Sequence, residues 1–396
     1  MKFAHMADCH IGGWREPELK ELSIKAFEKS VDICIEKHVG FILIAGDLFN
    51  TAIPNIDLIK ETAKILKKAK DANIDIYVIP GSHDFSPSGK TMLDVLEKAG
   101  LIINVMKFKS GKLKFTEDKT GVKITGLLGR RGGLEVLDYE NLDKEELEKE
   151  EGFKIFMFHT ALTEFKPEEM EKMASQSVAN LPKNFNYYAG GHVHYIFDKE
   201  YDKGKLVYPG ALFPNNFKEL EEFKHGGFYI VDDSLNLEYV PVKFRDVLTI
   251  QIDADGKTPE EIETRLMGLE NFWDKIITIR IKGILRSGKP SDIDFKKITA
   301  KLSDAYCVLR NTFKLKVKEF EEVEVNASSS EEIEDSVVKE HSGKISLGSL
   351  TKEEEEELTF DLINEFNKEK KEGEKVADFE KRMINDINKI LKIGEL

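Results

Sequence analysis

From the N-terminus to about residue 240, short apolar runs rich in β-branched and aromatic residues break off abruptly into clusters of Asp, His, Gly and Ser. The runs are Lys2 to Ala7 before Asp8-Cys9-His10, Phe41 to Ala45 before Gly46-Asp47, and Ile74 to Ile79 before Pro80-Gly81-Ser82-His83-Asp84. Two more are Lys154 to Phe158 before His159, and Asn186 to Ala189 before Gly190-Gly191-His192-Val193-His194. Short apolar runs closed by turn-forming residues read as buried strands. Between the early ones, Leu22, Ala26, Val31 and Ile35 within Glu18 to Lys37 fall at helical spacing, as do Leu58, Ile59, Ala63, Ile65 and Leu66 within Asp57 to Asp71. Alternating strands and helices predict an α/β layered sheet, and later strands at Lys123 to Leu128, Lys205 to Tyr208 and Gly227 to Val231 complete a sandwich with helices outside.

The pattern changes near residue 244. Leu248 to Ile252 reads as a strand, Pro259 to Leu269 as a helix, Ile276 to Ile284 as a strand and Ile293 to Leu302 as a helix, which together make a small α+β unit. Residues 326–350 are rich in Ser, Gly and acidic side chains, the composition of a flexible linker. After it, Thr351 with Glu354 fits a capping box, and Leu358, Leu362, Ile363 and Phe366 recur on one helical face. A second stripe, Val376, Phe379, Met383, Ile387, Ile390 and Leu391, follows a break that contains Gly373. Two such stripes beyond a linker are too short to make a core of their own, so each needs something to cover it.

Composition narrows the function classes. No run approaches the eighteen or so apolar residues of a membrane span, and the start lacks the basic and apolar regions of a signal peptide, so a cytosolic protein is expected. Cys9, Cys34 and Cys307 have no paired spacing, which argues against disulfides or a thiolate zinc site. The net charge is −14, a poor balance for gripping a phosphate backbone, but residues 326–396 carry over half of that excess.

Chemistry gathers where strands stop, and in open α/β sheets the carboxyl ends of strands are where sites form. Asp8 and His10 alternate past Cys9, as His192 and His194 do around Val193, so an extended chain puts each pair on one face. Carboxylates and imidazoles without thiolates suit a pair of manganese, iron or zinc ions. Two ions roughly 3.5–4 Å apart hydrolyse phosphoesters by activating water and clamping the attacking and leaving oxygens. The chain has neither a Gly-x-Ser-x-Gly elbow nor a phosphate loop of Walker type.

In order and spacing, Asp8-Cys9-His10, Gly46-Asp47, Gly81-Ser82-His83-Asp84, His159 and Gly191-His192-Val193-His194 resemble the five motifs of the calcineurin-like metallophosphoesterases. Within that superfamily, the start Lys2 to Asp8 and the run Phe41 to Phe49 are similar to the Mre-eleven (SbcD-type) double-strand-break repair nucleases. The resemblance extends over nearly the whole chain. It implies a four-layer αββα nuclease domain over residues 1–243, a DNA-binding cap over 244–325, the linker 326–350, and amphipathic helices over 351–396 that dock on the coiled-coil base of a Rad-fifty (SbcC-type) ATPase. Contacts to that partner fall to Leu358, Leu362, Phe366, Phe379, Met383 and Ile387.

Carried over residue by residue, it implies that Asp8, His10, Asp47 and His194 hold one manganese, and that Asp47, His159 and His192 hold the second, with Asp47 bridging. His83 then contacts the scissile phosphate, as proton donor to the leaving oxygen or as a charge stabiliser, with Asp84 orienting it. Ser82 stands where the family places an Asn ligand, which implies weaker binding of the second ion. Asn50 stands where several members place a His that supports exonuclease chemistry, which implies exonuclease activity weak relative to endonuclease. Arg130 and Arg131 in the turn Gly129 to Gly133 are candidates for phosphate contact, with the lysines 107, 109, 112 and 114 as a weaker set. The family dimerises through helices of its nuclease domain, here Asp57 to Asp71 and Met92 to Lys98. The expected protein is a nucleoid-associated DNA endonuclease and 3′–5′ exonuclease; the alternatives are a nuclease-impaired clamp and a phosphodiesterase for small esters.

Overall fold

The computed structural model describes residues 1–86, 91–167, 171–317, 338, 351–368, 370, 374 and 376–391, without the side chains of 131, 352, 376 and 377. Strand-helix alternation runs through β1 (Lys2–Met6), α1 (Pro17–Glu36), β2 (Phe41–Ala45), α2 (Ile56–Asp71), β3 (Asp75–Ile79), α3 (Met92–Lys98) and β4 (Ile103–Asn104). A hairpin of β5 (Lys107–Lys109) and β6 (Lys112–Lys114) leads to β7 (Thr116–Glu117), β8 (Lys123–Gly126), α4 (Val136–Glu140), α5 (Glu145–Lys149), β9 (Lys154–His159) and β10 (Tyr187–Gly191). The body closes with β11 (Phe197–Tyr201), β12 (Gly204–Tyr208), α6 (Phe217–Phe223), β13 (Gly226–Asp232) and β14 (Leu237–Val242).

These strands form two six-stranded sheets, ordered β14-β13-β1-β2-β3-β4 and β11-β12-β10-β9-β8-β7. The two-residue period of a strand sorts its side chains between layers. In β2, Phe41, Leu43 and Ala45 face the core between the sheets, where they meet Tyr77, Ile155, Met157 and Tyr187. Ile42 and Ile44 face the other way, onto a core shared with Leu22, Phe27 and Val31 of α1 and Leu66 of α2. A third apolar layer, with Phe156, Phe158 and Tyr188, lies on the outer face of the second sheet under Tyr139 and Leu147 of α4 and α5. The result is an α/β sandwich of mixed sheets flanked by helices.

Local chemistry sets the helix ends. Pro17 fits the first turn of α1 because its missing N–H is not needed there. Asn55 caps α2 by accepting from the Leu58 amide at 3.0 Å. Both helices are followed by a residue at positive φ, His38 and Asn73, which turns the chain out of the helix.

The second unit comprises β15 (Val247–Asp253), α7 (Pro259–Met267), β16 (Ile276–Leu285), α8 (Phe295–Lys301) and β17 (Cys307–Val317), with its strands parallel in that order. Its core joins Ile252, Ile262, Ile277, Ile279, Ile281, Ile298 and Leu315. It leans on the body through Ile276 and Leu309, which pack into the same cluster as α1. Two helices, Lys352–Phe366 and Val376–Ile390, form a C-terminal pair, and Thr351 caps the first in a box with Glu354. The expected linker 326–350 lies outside the described residues apart from Val338. No helix among the described residues is long and apolar enough to cross a membrane.

Candidate metal centre

Strands β1, β2 and β3 run parallel in one sheet, and β9 and β10 run parallel in the other. Their carboxyl ends therefore open on one edge of the sandwich, where the polar clusters meet. The chain after β1 lies along the chain after β2, with Asp8 N donating to Gly46 O at 3.2 Å and His10 N to Asp47 O at 3.0 Å. Asp8, His10, Asp47 and His192 all adopt positive φ, a conformation that costs a non-glycine residue about 1–3 kcal/mol. Four such residues at one strand edge point to selection for what the side chains do there. A Cβ at Gly46 would collide with the His159 ring, and one at Gly81 with the Asp47 carboxylate, so glycine at these positions lets the groups close up.

Three triads have potential ligand atoms within 4.8 Å of one another: Asp8, His10 and His194; His10, Asp47 and His83; and Asp8, Asp47 and His159. They interlock through Asp8, His10 and Asp47. His192 stands beside them, its backbone N–H on the Asp8 carboxylate at 3.0 Å and its ring 5.2 Å from that of His159, but it joins none of the triads. Ser82 is buried, and its hydroxyl lies 3.4 Å from Asp47 Oδ2.

The donor set fits cations. His159 Nδ1 donates to Ala45 O at 2.8 Å, which leaves Nε2 as the ring nitrogen that faces the site. That Nε2 is buried and has no hydrogen-bond partner, although it lies 3.3 Å from Asp47 Oδ2. The Nε2 atoms of His10 and His194 face each other at 3.2 Å. Nitrogens and carboxylate oxygens gathered this closely are what a divalent ion requires. Electrostatics agree: burial by itself would raise Asp47, but His159, His10 and His83 hold it well below the usual carboxylate range. Burial pushes Asp8 up to about 6 against the pull of His194 and His159. For His194, burial opposes the charged form, yet Glu219 and Asp8 carry it up to about 9.

Other expected residues are placed differently. Asp84 does not reach His83: its oxygens accept from the backbone amides of Leu48, Phe49 and Gly81 at 3.1–3.2 Å. It therefore organises the Asp47 loop. His83 is oriented instead by the backbone of Asn50, whose carbonyl accepts from Nδ1 at 2.9 Å, while the His83 amide donates to Asp47 Oδ1 at 2.7 Å. Arg130 is ion-paired with Asp138 at 2.8 Å and lies over the Phe85 ring, so it is not a free cation; the Arg131 side chain lies outside the described residues. Lys112 and Lys114 are tied to Glu146.

Two supporting residues were not anticipated. Glu219 on α6 accepts from His194 Nδ1 at 2.7 Å and from the Asn215 amide, a carboxylate-imidazole pairing that orients a metal-facing ring. Tyr139 on α4 holds the backbone of His159, its hydroxyl accepting from the amide at 3.2 Å. The Asn216-x-x-Glu219 cap is visible in the sequence, but nothing local connects it to a histidine on another strand.

The family model for calcineurin-like phosphoesterase matches residues 1–195, which span all five motifs. A protein from Thermoplasma acidophilum named DNA double-strand break repair protein Mre11 is 30% identical over 297 residues, 70% of this chain and 76% of that protein. Proteins of the same name from Methanococcus maripaludis, 28% identical over 69% of this chain and 74% of theirs, and from Archaeoglobus fulgidus, 25% identical over 83% and 77%, match as well. With the five motifs meeting at one edge of the sandwich, the chain belongs to the Mre11 family of calcineurin-like phosphoesterases.

Proposed function

We propose that this chain is a manganese-dependent DNA nuclease subunit, with endonuclease and 3′–5′ exonuclease activity, that works with a Rad-fifty-type ATPase in double-strand-break repair. The observation that carries the reading is the meeting of Asp8, His10, Asp47, His159 and His194 in interlocking triads, in a chain of this family. In this reading Asp8, His10, Asp47 and His194 hold one ion, and Asp47, His159, His192 and Ser82 hold the other. Bound divalent ions supply Lewis acidity at phosphorus and lower the pKa of water. The chain's own groups do the rest. Asp47, gripped by the His83 amide, joins the two halves of the site. His83, with Nδ1 committed to Asn50 O, offers Nε2 to the phosphate or to the leaving oxygen as proton donor. Asp84 keeps the Leu48 and Phe49 amides in place beneath it.

Residues 1–243 then form the nuclease domain and 244–325 the cap, and 326–350 tether the helices of 351–396. Arg130, Arg131 and Asn50 are assigned to DNA phosphates, Arg130 by exchanging Asp138 for the strand. Half-buried Leu358, Leu362, Phe379, Met383 and Ile387, with Phe366 exposed, leave an apolar stripe on the C-terminal pair for the ATPase coiled coil. A homodimer is supported by exposed Ile53, Ile56 and Val95 on neighbouring stretches, which the Met92 amide links by donating to Ala52 O.

The test is manganese-dependent cleavage of single-stranded, hairpin and linear duplex DNA, with and without the ATPase, beside His83→Ala. Cleavage that depends on manganese and drops at least a hundredfold in the variant is expected. Hydrolysis confined to small phosphate esters, or none with any metal, overturns the reading. Ser82→Asn is expected to tighten the weaker manganese several-fold in titration calorimetry; two equally tight ions in the unaltered chain overturn that part.

A further inference from the structure

Outside the metal centre, a groove among the described residues brings several cations and aromatic rings together. It lies where α6, the β14–β15 connection and the α7–β16 loop meet, as two overlapping depressions of about 460 and 390 Å³ that share Lys243, Arg245, Asp246 and Lys275. Lys224 lines one end and Trp273 the other. Asp274 is neutralised by Arg245, whose Nε lies 2.9 Å away. That leaves Lys224, Lys243 and Lys275 against the single carboxylate of Asp246, a local positive excess on a chain of net charge −14. Such a strip attracts polyanions despite the total.

Trp273 gives the strip its second character. It is 76% exposed, which removes any packing reason for a residue of that size. Its loop is nonetheless held: Asp274 N donates to Asp304 O at 2.9 Å and Lys275 N to Phe272 O at 3.2 Å. An indole presented on a fixed loop, beside lysines spaced along a groove, matches what an unpaired base with its flanking phosphates requires. A duplex keeps its bases stacked on one another and offers no such face. The groove also borders the site, because Phe223 and His225, which line it, line a crevice with His194 as well.

We propose that this groove binds single-stranded nucleic acid, with Lys224, Lys243 and Lys275 on the phosphates and Trp273 stacked on a base. The proposal rests on the nuclease reading for the identity of the polyanion and adds a strand-holding site outside the metal centre. Trp273 supplies its own probe, because the only other tryptophan, Trp14, is half-buried with its Nε1 donating to Pro214 O at 2.8 Å.

The full chain, kept free of divalent metal by chelator so that no strand is cut, is titrated with oligothymidylate about a dozen nucleotides long while tryptophan emission and the anisotropy of a labelled strand are followed. Quenching of Trp273 is expected. Trp273→Phe should lose the quench and bind about tenfold more weakly, and Lys243→Glu with Lys275→Glu should weaken binding and flatten its salt dependence by about 1.4 log units per log unit of salt. If the strand binds by anisotropy while Trp273 emission is unchanged and Trp273→Phe binds as well as the parent, the groove assignment is overturned and the nuclease reading stands. If duplex quenches Trp273 as strongly as the single strand, the single-strand assignment is overturned. If neither form of DNA binds at low salt, the groove and the nuclease reading fall together.

Discussion

Glu219 lies 25 residues beyond His194 and on a different element, yet its carboxylate fixes the ring from behind at 2.7 Å. A partner of this kind sets which imidazole nitrogen is free and raises its basicity, and its loss typically costs 10–100-fold in metal affinity. Glu219→Gln keeps the shape and removes the charge, so manganese binding measured by calorimetry should weaken by about that factor while the fold persists; unchanged affinity would mean that His194 needs no such support. His5, also buried, behaves differently. Burial lowers it to about 3 from an ordinary 6.5, although Nδ1 meets the Tyr187 hydroxyl at 2.9 Å. The folded chain therefore keeps this ring neutral while the unfolded chain takes up a proton below about 6.5, so its contribution is intact above that pH and is lost as pH falls towards 3. Between about pH 6 and pH 5, the urea stability of the parent should fall more steeply than that of His5→Phe, by up to about 1.4 kcal/mol per pH unit. Parallel slopes would show that His5 is protonated in the fold. The residues the structure gathers at the strand ends could be read from sequence because each follows an apolar run. Glu219, and the true employment of Asp84 on backbone amides, could not, since both depend on which loops come to lie side by side.

At the scale of elements, legibility follows burial. β1, β2, β3, β9 and β10, buried beyond the first residue at most, announce themselves as apolar runs, and α1 and α2 by their periodic stripes. The elements sequence reasoning passed over are the edges and short pieces: β4, β7, β11 and β14 in the sheets, α4 to α6, and the long β17, in which Arg310, Phe313 and Lys314 are exposed. An edge strand with one wet face lacks the apolar run that marks a central one. The overlooked α6 links the metal centre to the second unit. Glu219 serves His194 on one side, while Glu221 forms a two-pronged ion pair with Arg280 of β16 at 2.5–3.1 Å and Phe217 lies under the same guanidinium. The Glu221 side chain is only 6% exposed, so removing its partner strands a charge. Arg280→Met should lower stability by about 3 kcal/mol, and Glu221→Gln added to it should restore much of that loss, as measured by denaturant unfolding. Equal costs for the single and double variants would mean that the pair contributes nothing beyond packing.

At the scale of the whole molecule, the surface carries apolar area that the chain does not cover itself. Ile53 is 72% and Ile56 80% exposed, next to Val95 at 56%, and all three sit on the stretch around α2 and α3. Scattered apolar residues on a surface need no explanation, but a cluster on adjoining elements is where the proposed homodimer would pair. A second copy fits, because one small patch placed against itself by a two-fold axis doubles the area buried without needing a complementary surface elsewhere. The patch starts at the N-terminus of α2, directly after the loop that carries Asp47 and Asn50, so pairing there would set two metal centres at a fixed spacing along one DNA. Ile56→Asp places a charge in the centre of such an interface. Light scattering on the eluting protein should report a dimer for the parent and a monomer for the variant, with manganese binding retained, because no metal-facing residue is altered. A parent that is monomeric at micromolar concentration, or a variant that remains dimeric, would move the interface away from α2 and α3. A variant that loses metal together with the dimer would show that the pairing also holds the Asp47 loop in place.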